Sequence, residues 1–266
     1  MNNHHQNNLI LHLDGHRLVR RAVIFCLLVE LLLVFLDLTV YFPHADAGED
    51  GIRGLFNIAR EDSFGTWFSS TQTLVVAMVL WLIRFRLHLE PSTGRARLAG
   101  WTLLAAFFTY MAIDDAVFLH ENLGSALENF YDSLDSSHLG ILGNWFEDYP
   151  SYAWQFAVGP VFVAMGLFLL VFLWRELQRP GLRWLIVLAL GCLSVAVALD
   201  YVEGLYGGYK AVIVATGWQY DTVQHVARVI EEFLEMLGNT LSLAAFLYQL
   251  ATVSGDITLS INRKPV

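Results

Sequence analysis

The stretch Val226 to Leu250 reads VARVIEEFLEMLGNTLSLAAFLYQL, and it decides the fold. It exceeds the ~20 residues that an α-helix needs to cross a ~30 Å hydrocarbon core. Yet it carries Arg228, Glu231, Glu232 and Glu235. One charge at mid-membrane costs roughly 2.5–3.5 kcal/mol on insertion scales, so four left alone would cost on the order of 10 kcal/mol. They must be paired, protonated or coordinated. His225, Arg228, Glu232, Glu235, Asn239 and Ser242 recur at helical spacing, with Glu231 beside them. A stripe of this kind is expected inside a helix bundle, facing away from lipid. Arg228 stands three and four residues before Glu231 and Glu232, which offers one ion pair within the helix.

Working outward, the remaining sequence repeats the apolar theme. The chain of 266 residues is 56% hydrophobic and 15% charged, with a mean hydropathy of +0.49, too apolar for an ordinary soluble domain. Segments of spanning length fall at about 22–42, 66–87, 98–119, 152–174, 183–203 and 226–250. The expected fold class is all-α: a polytopic membrane protein with a bundle of six transmembrane helices. Residues 1–21 form a polar leader and 251–266 a tail. The run Ala211–Trp218 is too short to cross and reads as a buried or re-entrant piece.

Basic residues alternate between connections as the positive-inside rule requires. Arg17, Arg20 and Arg21 precede the first span. Arg84, Arg86, Arg95 and Arg97 surround the second turnaround, Arg175, Arg179 and Arg183 the fourth, and Arg263 and Lys264 follow the last. Both ends are therefore expected in the cytoplasm (N-in, C-in), in a cell inner (plasma) membrane. The outer connections 43–65, 120–151 and 204–225 carry only Arg53, Arg60 and Lys210 among their acids, so the formal net charge of −9 lies outside. That face disfavours nucleic acid and anionic lipid, and attracts cations.

Arg20-Arg21 followed by an apolar run and Ala45-Asp46-Ala47 imitates a signal peptide. The run is longer than a signal h-region and holds Glu30 and Asp37, so it reads as a retained helix. His4, His5, His12 and His16 read as a biased tail, and Cys26 and Cys192 as small buried residues. Leu123, Leu127, Phe130 and Leu134 suggest a short amphipathic helix, near an aromatic belt containing Trp145, Phe146, Tyr149, Tyr152 and Trp154.

Once helix directions are fixed, the ionisable groups collect at one membrane face. Asp37 closes the first span, Ser69 and Ser70 open the second, and Asp114, Asp115, His120 and Glu121 end the third. Asp200 and Glu203 end the fifth, and His225 to Glu235 begin the sixth. Histidines and carboxylates from several helices are the ligand types of zinc and of di-iron or di-manganese bundle sites. His120, His225, Glu232 and Glu235 are the candidate ligands of a divalent metal (Zn, Fe or Mn). Asp114, Asp115, Glu121, Ser69 and Glu231 are the candidate catalytic groups. Neither H-E-x-x-H nor the ferritin-like Glu-x-x-His pattern is present.

The segments Phe56-Asn57 through Thr66-Trp67-Phe68-Ser69-Ser70, Ile113-Asp114-Asp115 through Leu119-His120-Glu121, and Glu231-Glu232-Phe233-Leu234-Glu235-Met236-Leu237-Gly238 resemble a family of bacterial multispan membrane proteins of unknown activity. That resemblance implies a shared fold and site. In the central motif Asp115 replaces the usual Glu, which shortens that arm. A fainter similarity is to the alkaline ceramidase-like membrane hydrolases. It implies zinc-site roles for Ser69 or Ser70, Asp114 and His120, though that superfamily's histidine-rich final motif is absent and six spans replace seven.

Two functions follow from these readings. A metal-dependent membrane hydrolase would activate water against a lipid-like amide or ester. A cation- or proton-coupled transporter or sensor would use the same stripe with Arg228 as counter-charge. A purely structural ion-pair network is the third reading.

Overall fold

The computed structural model describes residues 9–13, 15–43, 51–133, 149–254 and 257–261. The leader Met1–Asn8, Leu134, and Trp145 and Phe146 of the expected belt lie outside them. Among the described residues six helices are long and apolar enough to cross a membrane: Gly15–Tyr41, Phe64–His88, Arg95–Val117, Ala153–Glu176, Pro180–Gly204 and Tyr220–Ser254. They are called the first to sixth spans. The first and sixth begin six or seven residues before the apolar limits read from sequence, because polar end residues keep helical geometry, and the third stops two residues short of its expected end at 119.

Local chemistry sets the ends. Ser63 caps the second span by accepting Thr66 N–H at 3.3 Å, and Arg86 and His88 fall in its last turn, where they oppose the helix dipole. Pro180 starts the fifth span at a position that has no helical N–H to lose. The first span ends in a π-helical turn, Asp37–Tyr41. The third stops at Phe118, whose backbone is left-handed (φ 53°, ψ 44°).

Burial ranks the spans. In the second and sixth, 56% of the most apolar stretch is buried, against 22% in the first, 17% in the fifth and 11% in the fourth. The former are the interior and the latter the rim. The sixth span packs on the first, second and fifth, and the second also packs on the third. Trp101, Phe108 and Phe246 meet edge to face in the core, with Leu80, Ile83 and Met236 fully buried around them. Close approach of the fifth and sixth spans depends on Gly238, where a Cβ would stand 2.9 Å from Leu193 Cγ. Rim helices turn Phe25, Leu28, Phe35, Val161 and Val163 outward. Exposed apolar faces of that extent suit lipid rather than water.

Among the described residues two shorter α-helices lie outside the spans: Leu119–Ser133, which includes the expected amphipathic segment as far as the described residues reach, and Lys210–Thr216 in the run read as non-spanning. Gly124 lets the helix Leu119–Ser133 sit against the Trp154 backbone at the start of the fourth span. At the opposite end of the bundle, Glu176 accepts from Arg97 Nε at 2.7 Å and Trp101 Nε1 at 3.2 Å, tying the third and fourth spans. Leu9–Leu13 pairs antiparallel with Ile257–Ile261, a ribbon not expected from the sequence that holds the two described ends together.

Candidate acid-rich site at one end of the bundle

The centre of the site is a carboxylate and an imidazole brought together by a kink. A non-glycine residue with positive φ is uncommon and costs about 1–2 kcal/mol. At Phe118 that turn folds the chain back on itself. Phe118 N–H caps the Asp114 carbonyl at 2.7 Å, and Asn122 Nδ2 donates to the Val117 and Phe118 carbonyls. His120 then returns to Asp114: its backbone N–H donates to Oδ1 at 2.8 Å, and its ring Nδ1 lies 2.7 Å from Oδ2. Asp114 is buried, and the ring packs edge-on to Trp154 at 4.6 Å.

His120 lies beyond the end of the third span, and its protonation follows from its setting. Burial works against the charged ring, but the hydrogen bond and charge of Asp114 outweigh it, with Glu121 and Glu235 adding to the effect. The imidazole therefore holds its proton above the ordinary histidine range. Its Nε2 stands 4.0 Å from Glu121 Oε1. Glu121 is itself pushed up, by burial first and then by the charge of Glu61.

Around this pair the structure gathers acids from other spans. Glu235 is within electrostatic reach of His120, Asp114, Asp115 and Asp200. Glu232 neighbours Glu235 and Asp115, and Glu231 neighbours Glu235, Asp200 and Glu203. Ser69 and Ser70 face Asp115, whose Oδ2 is buried without a hydrogen-bond partner. Asp200 accepts from Gln155 Nε2 at 2.8 Å.

Arg228 has a different partner from the one its spacing suggests. Its Nε donates to Glu203 Oε1 and Oε2 at 2.9 and 3.0 Å, and its Nη2 also meets Glu203. Gln224 and Tyr152 complete the shell of that carboxylate. The fork of a guanidinium matches a carboxylate on a facing helix better than one a turn away on its own. Glu231 and Glu232 remain near Arg228 without bonding it.

His225 belongs to a second pair. Its Nε2 lies 2.8 Å from Oδ1 of Asp37, which is fully buried, and Asp37 Oδ2 accepts Ile58 N–H at 3.0 Å. Phe42 stacks on the ring at 4.9 Å. This arrangement ties the π-turn of the first span to the start of the sixth. His225 and His120 thus have separate partners. Among the described residues no group of three or more His, Cys, Asp or Glu side chains could hold a metal ion. The shared metal centre expected of His120, His225, Glu232 and Glu235 is therefore not supported: His120 pairs with Asp114 and His225 with Asp37, in separate places.

Sequence reasoning passed over Glu30, Gln72 and Thr240, which are buried and mutually bonded between the first, second and sixth spans. The available signal was an acid and an amide within apolar runs. Spacing cannot detect partners 42 and 168 positions apart.

These features define a helical bundle with six candidate membrane spans and an acid-rich cluster at one end, organised by two Asp–His pairs and one Arg–Glu pair. The chain belongs to the family described as a domain of unknown function, DUF8692, which matches residues 23–250. No curated protein and no solved structure matches it.

Proposed function

We propose that this is a multi-pass inner-membrane protein of the cation-coupled class that binds and relays protons at its acid-rich end, with both termini on the cytoplasmic side. One observation carries the reading: Asp114, Asp115, Glu121, Asp200, Glu203, Glu231, Glu232 and Glu235 form a contiguous electrostatic cluster, with His120 and Arg228 as basic members. Arg228 is committed to Glu203. Carboxylates so placed cannot all be ionised at once, and groups that must share protons are the material of a proton relay. The even number of spans and the pairing of the two ends support termini on one side, and the distribution of basic residues supports the cytoplasm.

The test uses wild-type protein in liposomes containing a pH-sensitive dye, with an imposed potential. Proton flux above that of empty liposomes, lowered at least tenfold by His120→Gln and by Asp114→Asn, is the expected result. Wild-type flux equal to that of empty liposomes overturns the proposal.

A second reading draws on the same dyad. Asp114 engages Nδ1 and leaves Nε2 turned toward Glu121, an orientation suited to drawing a proton from water as it attacks a lipid-like amide or ester. Fatty-acid release from lipid substrates, lost in His120→Gln, in a protein without proton flux would favour hydrolysis.

A further inference from the structure

A separate polar centre lies deeper in the bundle, partway along the first span. Glu30 is 0% exposed, and Gln72 of the second span and Thr240 of the sixth are 3% and 1% exposed. Gln72 Nε2 donates to Glu30 Oε1 at 2.9 Å and to Thr240 Oγ1 at 2.8 Å, while Thr240 Oγ1 donates to Glu30 Oε1 at 2.5 Å. A primary amide owns two hydrogens and a hydroxyl one, so these bonds use every donor in the centre. Two buried acceptors remain without partners, Glu30 Oε2 and Gln72 Oε1.

The charge is as unbalanced as the hydrogen bonds. Among the described residues no arginine, lysine or histidine forms an ion pair with Glu30. The nearest ionisable side chains along the three helices are Cys26 and Asp37 on the first, Arg84 on the second and Glu235 on the sixth, and none of them bonds the centre. Water would supply the missing donors but leave an isolated buried carboxylate, which is far too costly. One positive charge between the two orphan oxygens removes both deficits.

We propose that Glu30, Gln72 and Thr240 form a binding site for one small monovalent cation, a proton or a sodium-sized ion, held between Glu30 Oε2 and Gln72 Oε1. A carboxylate and an amide carbonyl are the oxygen ligands that a hard cation takes. A proton on Oε2 would instead make an acid–amide couple, its O–H donating to Gln72 Oε1 while the amide N–H continues to donate to Oε1 of Glu30. The centre shares no residue with the His120 cluster, so the two proposals fail independently.

The experiment uses the full chain in detergent at fixed pH and ionic strength, as wild type, Glu30→Gln and His120→Gln. If the ion is sodium, replacing N-methylglucamine with sodium raises the unfolding temperature of wild type and His120→Gln but not of Glu30→Gln. If it is a proton, the infrared difference between wild type and Glu30→Gln contains the deuterium-sensitive C=O stretch of a neutral carboxylic acid. Either result supports the site and names its ion. Absence of both, with Glu30→Gln folded, overturns it. Should Glu30→Gln not fold, Gln72→Met removes the other orphan oxygen, and an unchanged sodium response together with an unchanged acid band overturns it equally.

Discussion

The Arg228 guanidinium crosses from the sixth span to Glu203 of the fifth, whose side chain is only 4% exposed. Removing the cation leaves that carboxylate stranded. Arg228→Met should cost about 3 kcal/mol, the low end for a broken buried pair, because the Arg228 side chain is itself 43% exposed. Adding Glu203→Gln should recover much of that loss, and adding Glu232→Gln should not. Chemical unfolding of the two double mutants checks this, and recovery confined to the Glu232 pair would contradict the assignment. His120 carries the pH dependence at the same scale. A histidine whose folded value is raised adds stability that is complete below its unfolded value near 6.5 and disappears as pH climbs through the folded value. The difference in unfolding temperature between wild type and His120→Gln should therefore be largest in mild acid and shrink toward alkaline pH. A difference that grows with pH would contradict the Asp114 pairing.

At the scale of elements, the sixth span organises the bundle, since it packs on three others and contributes to both polar centres. Its contact with the fifth span is set at Gly238, where an added Cβ would meet Leu193 at 2.9 Å and the Ala189 carbonyl at 3.3 Å. Leu193 has rotamers to yield, but the carbonyl is fixed in its helix. Gly238→Val should destabilise the protein by about 1–3 kcal/mol, the usual range for overpacking, and lower its unfolding temperature. An unchanged unfolding temperature would mean that the two helices separate at no cost. Helices were the legible part of this molecule, because length and apolarity alone determine a span. What the sequence left hidden is their mutual rotation. The left-handed turn at Phe118 has no glycine to announce it, and the pairing of His225 with Asp37 joins residues 188 positions apart. One-dimensional spacing placed His120 and His225 at comparable depth, but depth does not determine which neighbour each ring meets.

For the whole molecule, the orientation predicted from basic residues is open to direct labelling. After replacement of Cys26 and Cys192, cysteines introduced at Gly94 and Gly181, where a side chain meets no atom within 4 Å, should be shielded from an impermeant reagent added outside cells. Cysteines at Glu128 and at the fully exposed Tyr206 should react. The reverse pattern would invert the bundle and place the acid-rich end in the cytoplasm. That the polar groups cluster at one end was legible in the sequence, because charge is rare in this chain and its positions stand out. The deeper centre at Glu30 was not, since one acid in an apolar run gives no hint of the amide and hydroxyl that meet it from distant helices. The length of the sixth span adds a further consequence. Its 35 residues, at ~1.5 Å of rise each, extend roughly 52 Å, well beyond a ~30 Å apolar slab. Such a helix must tilt or protrude, and through His225–Asp37 and Arg228–Glu203 it carries the ends of the first and fifth spans with it. Membrane thickness therefore bears on the packing of the bundle: lipids with shorter acyl chains favour a more tilted sixth span and lipids with longer chains a more upright one, so the lean of this one helix is passed to its neighbours.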